Sequence, residues 1–264
     1  MRILFDYQIF NGQKVGGISR YYQAMFHEIN QIEEHKASIG IIFTENEYLK
    51  EYSEFKRKKS FYQSSKVYTW LNRKTSLRAL SSNEFDVFHP TNYKLYHLKK
   101  HKLPWVVTVY DLTHERFPEQ FKTFKTITAT KKAACLAADK ILAISESTKN
   151  DLISIMGIPE QKIEVTYLDG GFTNKQLLNV DVLPDKYILF VGGRGGYKNF
   201  DVFFEAVSEL LQKDKSLHLL CTGSRFKPNE LAKIESYELK DQVIQHFASE
   251  NEFYTIYNLS LIHI

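Results

Sequence analysis

Tyr187-Ile188-Leu189-Phe190-Val191 is a short apolar run that breaks into Gly192-Gly193-Arg194-Gly195-Gly196-Tyr197-Lys198-Asn199 and then opens an amphipathic stretch from Phe200 to Leu211. That order admits few folds: a buried strand, a tight loop, then a helix. Glycines let the backbone turn sharply and approach a ligand closely, and the helix start offers free amide N–H groups. Arg194 and Lys198 add two positive charges beside that start, with Gly193 at the turn. The combination suits a diphosphate. It is not a P-loop, because no Gly-Lys-Ser/Thr closes it, and it is not the dinucleotide pattern G-x-G-x-x-G. An ordinary strand-to-helix turn with solvated cations accounts for the same residues, and on the residues alone both readings stand.

The same strand–loop–helix order recurs upstream. Ile3-Leu4-Phe5 ends at Asp6; a loop with Gly12, Gly16 and Gly17 follows, then a helix whose apolar face is Ile18, Tyr22, Met25, Ile29 and Ile32. Gly16 and Gly17 thus stand at a second helix N-terminus. Strands are expected at 38–43, 85–88, 105–110, 141–144 and 163–167, and helices at 126–138 and 148–156, with Ser145 to Thr148 supplying an N-cap. Residues 46–83 read as mostly helical, with Trp70 and Leu71 as apolar anchors. Alternation of this kind argues for a parallel sheet covered by helices on both faces. In such sheets ligands bind beyond the carboxyl ends of the strands, where this chain places Gly16-Gly17, His89, Asp111, His114, Glu115 and Ser145.

Residues 172–186, of mixed polarity and containing Pro184, read as a linker. Strands at 187–191, 217–221 and near 243–244, with helices at 200–211 and 228–236 and a helix start at 252–258, form a second series. The expected organisation is a first domain over 1–171, the linker over 172–186, and a partial second domain over 187–264.

Composition bounds the partners. The net charge is +4 over 264 residues, too mild to call for nucleic acid but compatible with an anionic substrate or membrane surface. The run Lys56-Arg57-Lys58-Lys59 is either a solvated face or a membrane-facing patch. Cys135 and Cys221 lack any C-x-x-C or metal-ligand context. Neither a signal-peptide core nor a membrane span is evident, so the expected address is the cytosol or its membrane surface.

Several pieces, in order, resemble the retaining GT-B glycosyltransferases of family 4, which include bacterial mannosyl- and rhamnosyltransferases of polysaccharide assembly. They are Gly16-Gly17-Ile18-Ser19-Arg20-Tyr21, Phe88-His89-Pro90-Thr91, Tyr110-Asp111 through Pro118, Ala143-Ile144-Ser145-Glu146-Ser147-Thr148, and Val191-Gly192-Gly193-Arg194 through Lys198-Asn199. The resemblance implies two Rossmann-like doubly wound α/β domains, the second incomplete here. It implies that Arg194, Lys198 and Gly193, with Gly16 and Gly17, face the donor diphosphate. Asp111 stands near the transferred sugar; Tyr110 replaces the histidine that relatives often carry before it, and His114 is the expected substitute. His89, Glu115 and Ser145 line the acceptor cleft.

The tail Leu259-Ser260-Leu261-Ile262-His263-Ile264 departs from the family, whose two donor-side glutamates are absent; a truncated frame is expected, inactive or nearly so by itself. The activity implied is transfer of a hexose, mannose-like, from a nucleotide-diphosphate sugar to a glycan or lipid-linked saccharide, with retention. No cofactor and no metal are expected beyond the nucleotide sugar itself, and no Asp-x-Asp motif is present. The alternatives are a sugar-nucleotide epimerase of the same fold and a non-catalytic glycan- or nucleotide-binding module.

Overall fold

The computed structural model describes residues 1–57, 65–97, 103–169 and 176–263. The chain forms two compact units, Met1–Asp169 and Gly170–Ile264. Lys58, Lys59 and Ile264, which figure in the sequence reading, and position 171, the expected end of the first domain, lie outside the described residues.

The first unit opens with β1 (Arg2–Phe5), α1 (Gln8–Gly12), α2 (Gly17–Gln31), β2 (Lys36–Ile39), and the two-residue strands β3 (Phe43–Thr44) and β4 (Lys56–Arg57). It continues with α3 (Ser65–Leu80), β5 (Val87–His89), β6 (Val106–Val109), α4 (Thr113–Arg116), α5 (Phe124–Ala137), β7 (Lys140–Ala143), α6 (Glu146–Ser154) and β8 (Ile163–Val165). Two parallel three-stranded sheets, β2-β1-β5 and β6-β7-β8, are joined by a parallel bridge between Phe88 and Trp105 and by the Phe88 N–H, which donates to Pro104 O at 3.0 Å. Successive β1 side chains face opposite ways: Leu4 joins the core with Phe88, Val107, Ile141 and Leu152, and Phe5 the core with Tyr22, Phe26 and Ile39.

The second unit runs β9 (Lys186–Val191), α7 (Phe200–Lys213), β10 (Leu217–Thr222), α8 (Pro228–Ser236), β11 (Val243–His246), α9 (Glu250–Leu259) and β12 (Ile262–His263). Its sheet is parallel with order β11-β10-β9-β12. Growth therefore proceeds outward from β9 in one direction and then reverses to its other edge. Such a reversal opens a crevice at the carboxyl end of the first strand, where the glycine loop begins. The first unit reverses in the same way, β1 lying between β2 and β5. Tyr187 and Leu189 pack under α9 with Ile256, while Ile188 and Phe190 pack under α7. Helix α7 buries Phe200, Phe204, Val207 and Leu211, the i, i+4, i+7, i+11 stripe of its amphipathic sequence.

Three expectations are corrected. Trp70 is not an anchor: it is 56% exposed. Helix α3 instead buries Tyr68, Asn72, Ser76 and Leu80, because the backbone beyond β2 needs partners. Asn72 Oδ1 accepts the Ile42 and Phe43 N–H groups, its Nδ2 donates to Phe43 O at 2.8 Å, and Ser76 Oγ donates to Gly40 O. The strand expected over 38–43 divides into β2 and β3, with Gly40 at the break, where a Cβ would lie 2.9 Å from the Ser76 Cα. The described part of the linker belongs to the second unit. Val180 is buried, Leu183 packs beside Leu189 and Ile256, and the Leu178 N–H donates to Thr255 Oγ1 at 2.8 Å.

Phe204 is 1% exposed at the centre of the α7 stripe. Replacing it by Ala should remove about 3–5 kcal/mol from the stability of the second unit. Urea unfolding of Phe204→Ala checks this, and a loss below ~1 kcal/mol would contradict the packing described.

Candidate functional site

In the second unit the loop after β9 is shaped by backbone angles that exclude most side chains. Gly192 has φ +108°, and Gly223, at the end of β10, has φ +112° with a Cβ position 3.3 Å from Gly192 O. The two loops therefore touch through bare backbone. Nothing lies within 4 Å of the Cβ positions of Gly193 and Gly195, so a ligand can approach this backbone closely. Asn199, left-handed at φ 51°, begins α7 without capping it by its side chain; the first-turn amides keep their anion-binding character.

Arg194 takes a different position from the solvent-facing charge its sequence suggests. It is 8% exposed, its Nε donates to Glu230 Oε1 at 3.0 Å, and its Nη2 donates to Ser224 O at 2.7 Å and Arg225 O at 2.9 Å. The guanidinium lies over the Phe226 ring, 4.5 Å from its centroid. Glu230 also accepts the Lys227 N–H at 2.6 Å and so caps α8. Burial raises the Glu230 carboxyl, but the Arg194 contact and the Lys227 amide outweigh it and hold it below its ordinary value. One donor remains: Arg194 Nη1 is buried and has no partner among the described residues. Lys198 is exposed, with Nζ 3.5 Å from Val191 O and folded over Gly192.

In the first unit the reversal point beside β1 is filled by Asp6. This carboxylate, wholly buried, accepts from Gln8 N and Nε2, Thr91 N and Oγ1, and Tyr96 OH at 2.6–3.2 Å. Burial pushes its carboxyl up, and the Thr91 and Gln8 hydrogen bonds oppose that rise. Gly16 is extended, its Cβ position only 2.5 Å from Gln13 Oε1, and that oxygen accepts the Ser19 N–H at 3.2 Å. A side chain of the loop thus caps α2. Gly17 has open space around it.

The acceptor-side residues divide. Asp111 is exposed and accepts the Thr113 N–H at 3.0 Å, starting α4; His114 stacks against Phe121 with centroids 4.1 Å apart. Glu115 turns inward, which corrects its assignment to an open cleft. Its side chain is 2% exposed and its Oε2 lies 2.9 Å from Lys131 Nζ, which also donates to Asp111 O at 2.9 Å. This buried ion pair binds α4 to α5 and fixes the Asp111 turn. Ser145 is the N-cap of α6, accepting the Thr148 N–H at 3.1 Å, while Thr148 Oγ1 donates to Tyr110 O. His89 is also interior, 3% exposed, with Nε2 2.9 Å from Thr108 Oγ1. Burial lowers it from 6.5 to about 3, so it stays neutral.

Sequence reasoning missed Asp6, Lys131 and Glu230 as organising groups. Asp6 alone carried a signal, as a carboxylate at the end of the first strand. Burial pushes the thiols of Cys135 and Cys221 up to about 12, which leaves them inert. Among the described residues no cluster of His, Cys, Asp and Glu could hold a metal ion, and no helix is long and apolar enough to cross a membrane.

These features define a two-unit α/β protein of the GT-B type with a glycine loop after the first strand of its second unit. The sequence model of Glycosyltransferase Family 4 matches residues 15–168, more than half of the chain, and the chain belongs to that family of sugar-transferring enzymes. No curated protein sequence matches. Among solved structures, the lipopolysaccharide outer core galactosyltransferase WaaB in its apo form is 17% identical, with a TM-score of 0.56 over 97% of this chain and 71% of that one. Sucrose-phosphate synthase from Thermosynechococcus elongatus is 12% identical, with a TM-score of 0.67 over 99% and 74%. UDP-GlcNAc 2-epimerase from Neisseria meningitidis, bound to UDP-GlcNAc, is 16% identical, with a TM-score of 0.61 over 100% and 76%. At these identities the likeness establishes the fold alone.

Two outcomes follow from these buried ionisable groups. Lys131→Met should cost about 3–5 kcal/mol by stranding Glu115, and Lys131→Met with Glu115→Leu should recover most of that loss. Urea unfolding of the two variants reads the difference; equal losses would show that the ion pair does not carry the packing. For His89, the unfolded chain takes up a proton below about 6.5 while the folded form does not until about 3. Stability therefore falls as pH drops through that window. His89→Gln, lacking the titrating ring, should lose less stability than the wild type between neutral pH and pH ~5.

Proposed function

We propose that the chain binds a nucleoside-diphosphate sugar through its second unit and serves the transfer of a hexose, mannose-like, to a glycan or lipid-linked acceptor with retention of configuration. The observation that carries the donor assignment is the unpartnered, buried Nη1 of Arg194 beside the open glycines and the uncapped start of α7. A guanidinium already anchored by Glu230 loses little side-chain freedom when phosphate oxygens meet the two N–H groups left on Nη1. Lys198, mobile on a four-carbon stem, adds a second cation.

As the glycosidic bond to the donor breaks, negative charge grows on the departing diphosphate. Arg194, Lys198 and the α7 amides stabilise that charge without needing to reorganise. The diphosphate leaves from the face that the acceptor hydroxyl enters and takes its proton, which accounts for retention without a side-chain nucleophile. Asp111, held by the α4 turn, and His114 act on the sugar and acceptor; Ser145 and the Gly16-Gly17 start of α2 border the acceptor.

The family match favours transfer over epimerisation, although structures of both activities share the fold. Incubation with UDP- and GDP-hexoses distinguishes them: sugar moved to an acceptor supports the reading, and free epimerised nucleotide sugar supports the alternative. Lys198→Ala should weaken UDP or GDP binding about 10–100-fold, the value of a charge-assisted contact of 1.5–3 kcal/mol, without lowering the melting temperature, because its side chain is exposed. Titration calorimetry measures the affinity, and equal binding by variant and wild type would refute the diphosphate site.

A further inference from the structure

Helices α3 and α7 each expose one long side, and the two sides are opposite in charge. The buried stripe of α3 leaves the i, i+4 row Lys66, Trp70, Lys74 and Arg78 facing out. That row carries three cations and an indole, and no acid occurs anywhere on the helix. Lys74 Nζ lies 5.6 Å from the Trp70 ring centroid, so the ammonium and the indole stand together. On α7 the stripe Phe200, Phe204, Val207 and Leu211 is buried, and two other i, i+4 rows face out side by side. One is acidic: Asp201, Glu205 and Glu209 are all exposed. Lys233 reaches Asp201 and Glu205, each at 3.1 Å, but leaves both carboxylates open to water. The other row is apolar: Val202 is 57% exposed, Leu210 is 49% exposed, and Ala206 stands exposed between them. The two units differ in the same sense. Met1–Asp169 has 25 Lys and Arg against 19 Asp and Glu, net +6; Gly170–Ile264 has 10 against 12, net −2.

We propose that the chain self-associates, the outer side of α3 in one copy seating on the outer side of α7 in another. Residues four apart form ridges on a helix, and laying such ridges into the grooves of a second helix is the commonest packing of helix pairs. The groove between the two α7 rows has carboxylates along one wall and aliphatic side chains along the other. A ridge of Lys and Arg with one Trp fits that groove, its stems lying on the aliphatic wall and its charged heads turned to the carboxylates. Ala206, the smallest member of the aliphatic wall, sits at its centre, where the indole of the opposing ridge needs room. A central aromatic ringed by charges is the usual anatomy of an interface between proteins. Pairing α3 with α3 would bring cations together, and α7 with α7 would bring acids together, so the contact joins unlike helices. A two-fold axis makes it twice and closes the dimer. An external polyanion would answer the charge of α3 alone, whereas a second copy accounts for both sides. This inference stands apart from the transferase reading: it requires neither donor nor acceptor.

Sedimentation equilibrium of the full chain tests it. Association should depend on protein concentration and weaken with salt. Lys74→Glu and Glu209→Lys should each weaken it about 10-fold. An equimolar mixture of the two variants should recover it, because in the mixed dimer one contact is native and the other pairs the two reversed charges. Trp70→Ala should weaken it about 30-fold, the loss expected of a central interface tryptophan, whereas Lys240→Gln, at another exposed site of the second unit, should leave it within about twofold. Trp105, the other tryptophan of the chain, is buried, so a blue shift of emission with rising concentration reports Trp70. Every substituted side chain is exposed, so the melting curves of the dilute variants should match the wild type. A chain that stays monomeric, association insensitive to α3 or to α7, an unshifted Trp70 spectrum, or a mixture no tighter than its components would each overturn the proposal.

Discussion

The guanidinium of Arg194 ties three backbone segments together. It leaves the glycine loop after β9, bridges to the carbonyls of Ser224 and Arg225 after β10, and ends on Glu230, which caps α8. Two loops that would otherwise fray independently are held at one point, beneath glycines that leave their upper surface bare. The same bond consumes most of the hydrogen-bonding capacity of the arginine and leaves one nitrogen over. A buried donor without an acceptor costs about 1–3 kcal/mol, a cost the fold carries in the free state and a bound anion would relieve.

The two units reverse their strand order in the same way and fill the resulting crevices with opposite charges. Beside β1 the reversal point holds the Asp6 carboxylate, saturated by Gln8, Thr91 and Tyr96. Beside β9 it holds a cation with a donor to spare. Similar topology thus gives one crevice already occupied by a carboxylate and one lined by a guanidinium with N–H groups left unpaired. That contrast separates the two units where glycine content does not, since Gly16-Gly17 and Gly192-Gly193 look alike on paper. Gln13, which caps α2 from within its own loop, marks the same difference.

Most of the fold was legible because apolar runs of four to six residues alternating with amphipathic stretches have few other solutions. What escaped was decided by contacts distant in sequence. Helix α1 is five residues long and starts where the Asp6 carboxylate receives the Gln8 amide, a cap that only the folded β1 end can present. Lys131 and Glu115 stand 16 positions apart and read as two surface charges until α4 and α5 are packed. Glu230 lies 36 positions from Arg194. Composition read 46–83 as mostly helical and took Trp70 and Leu71 for the inward side: the buried stripe of α3 instead contains Asn72 and Ser76, and what they satisfy is the backbone at Gly40 to Phe43.

That inversion has a further consequence for reading charge. Net charge is a sum, and +4 suggests an unremarkable surface. Burying a polar stripe on α3 forces its bulkiest apolar side chain and its four cations onto the other face, so a field that composition averages away becomes local. The arrangement is costly if its only role is structural. Trp70 exposes more apolar surface than a soluble helix needs, and like charges at Arg73, Lys74 and Arg78 repel one another within a turn or so of helix. Neither cost is repaid within the first unit by an acid on α3, because none is present.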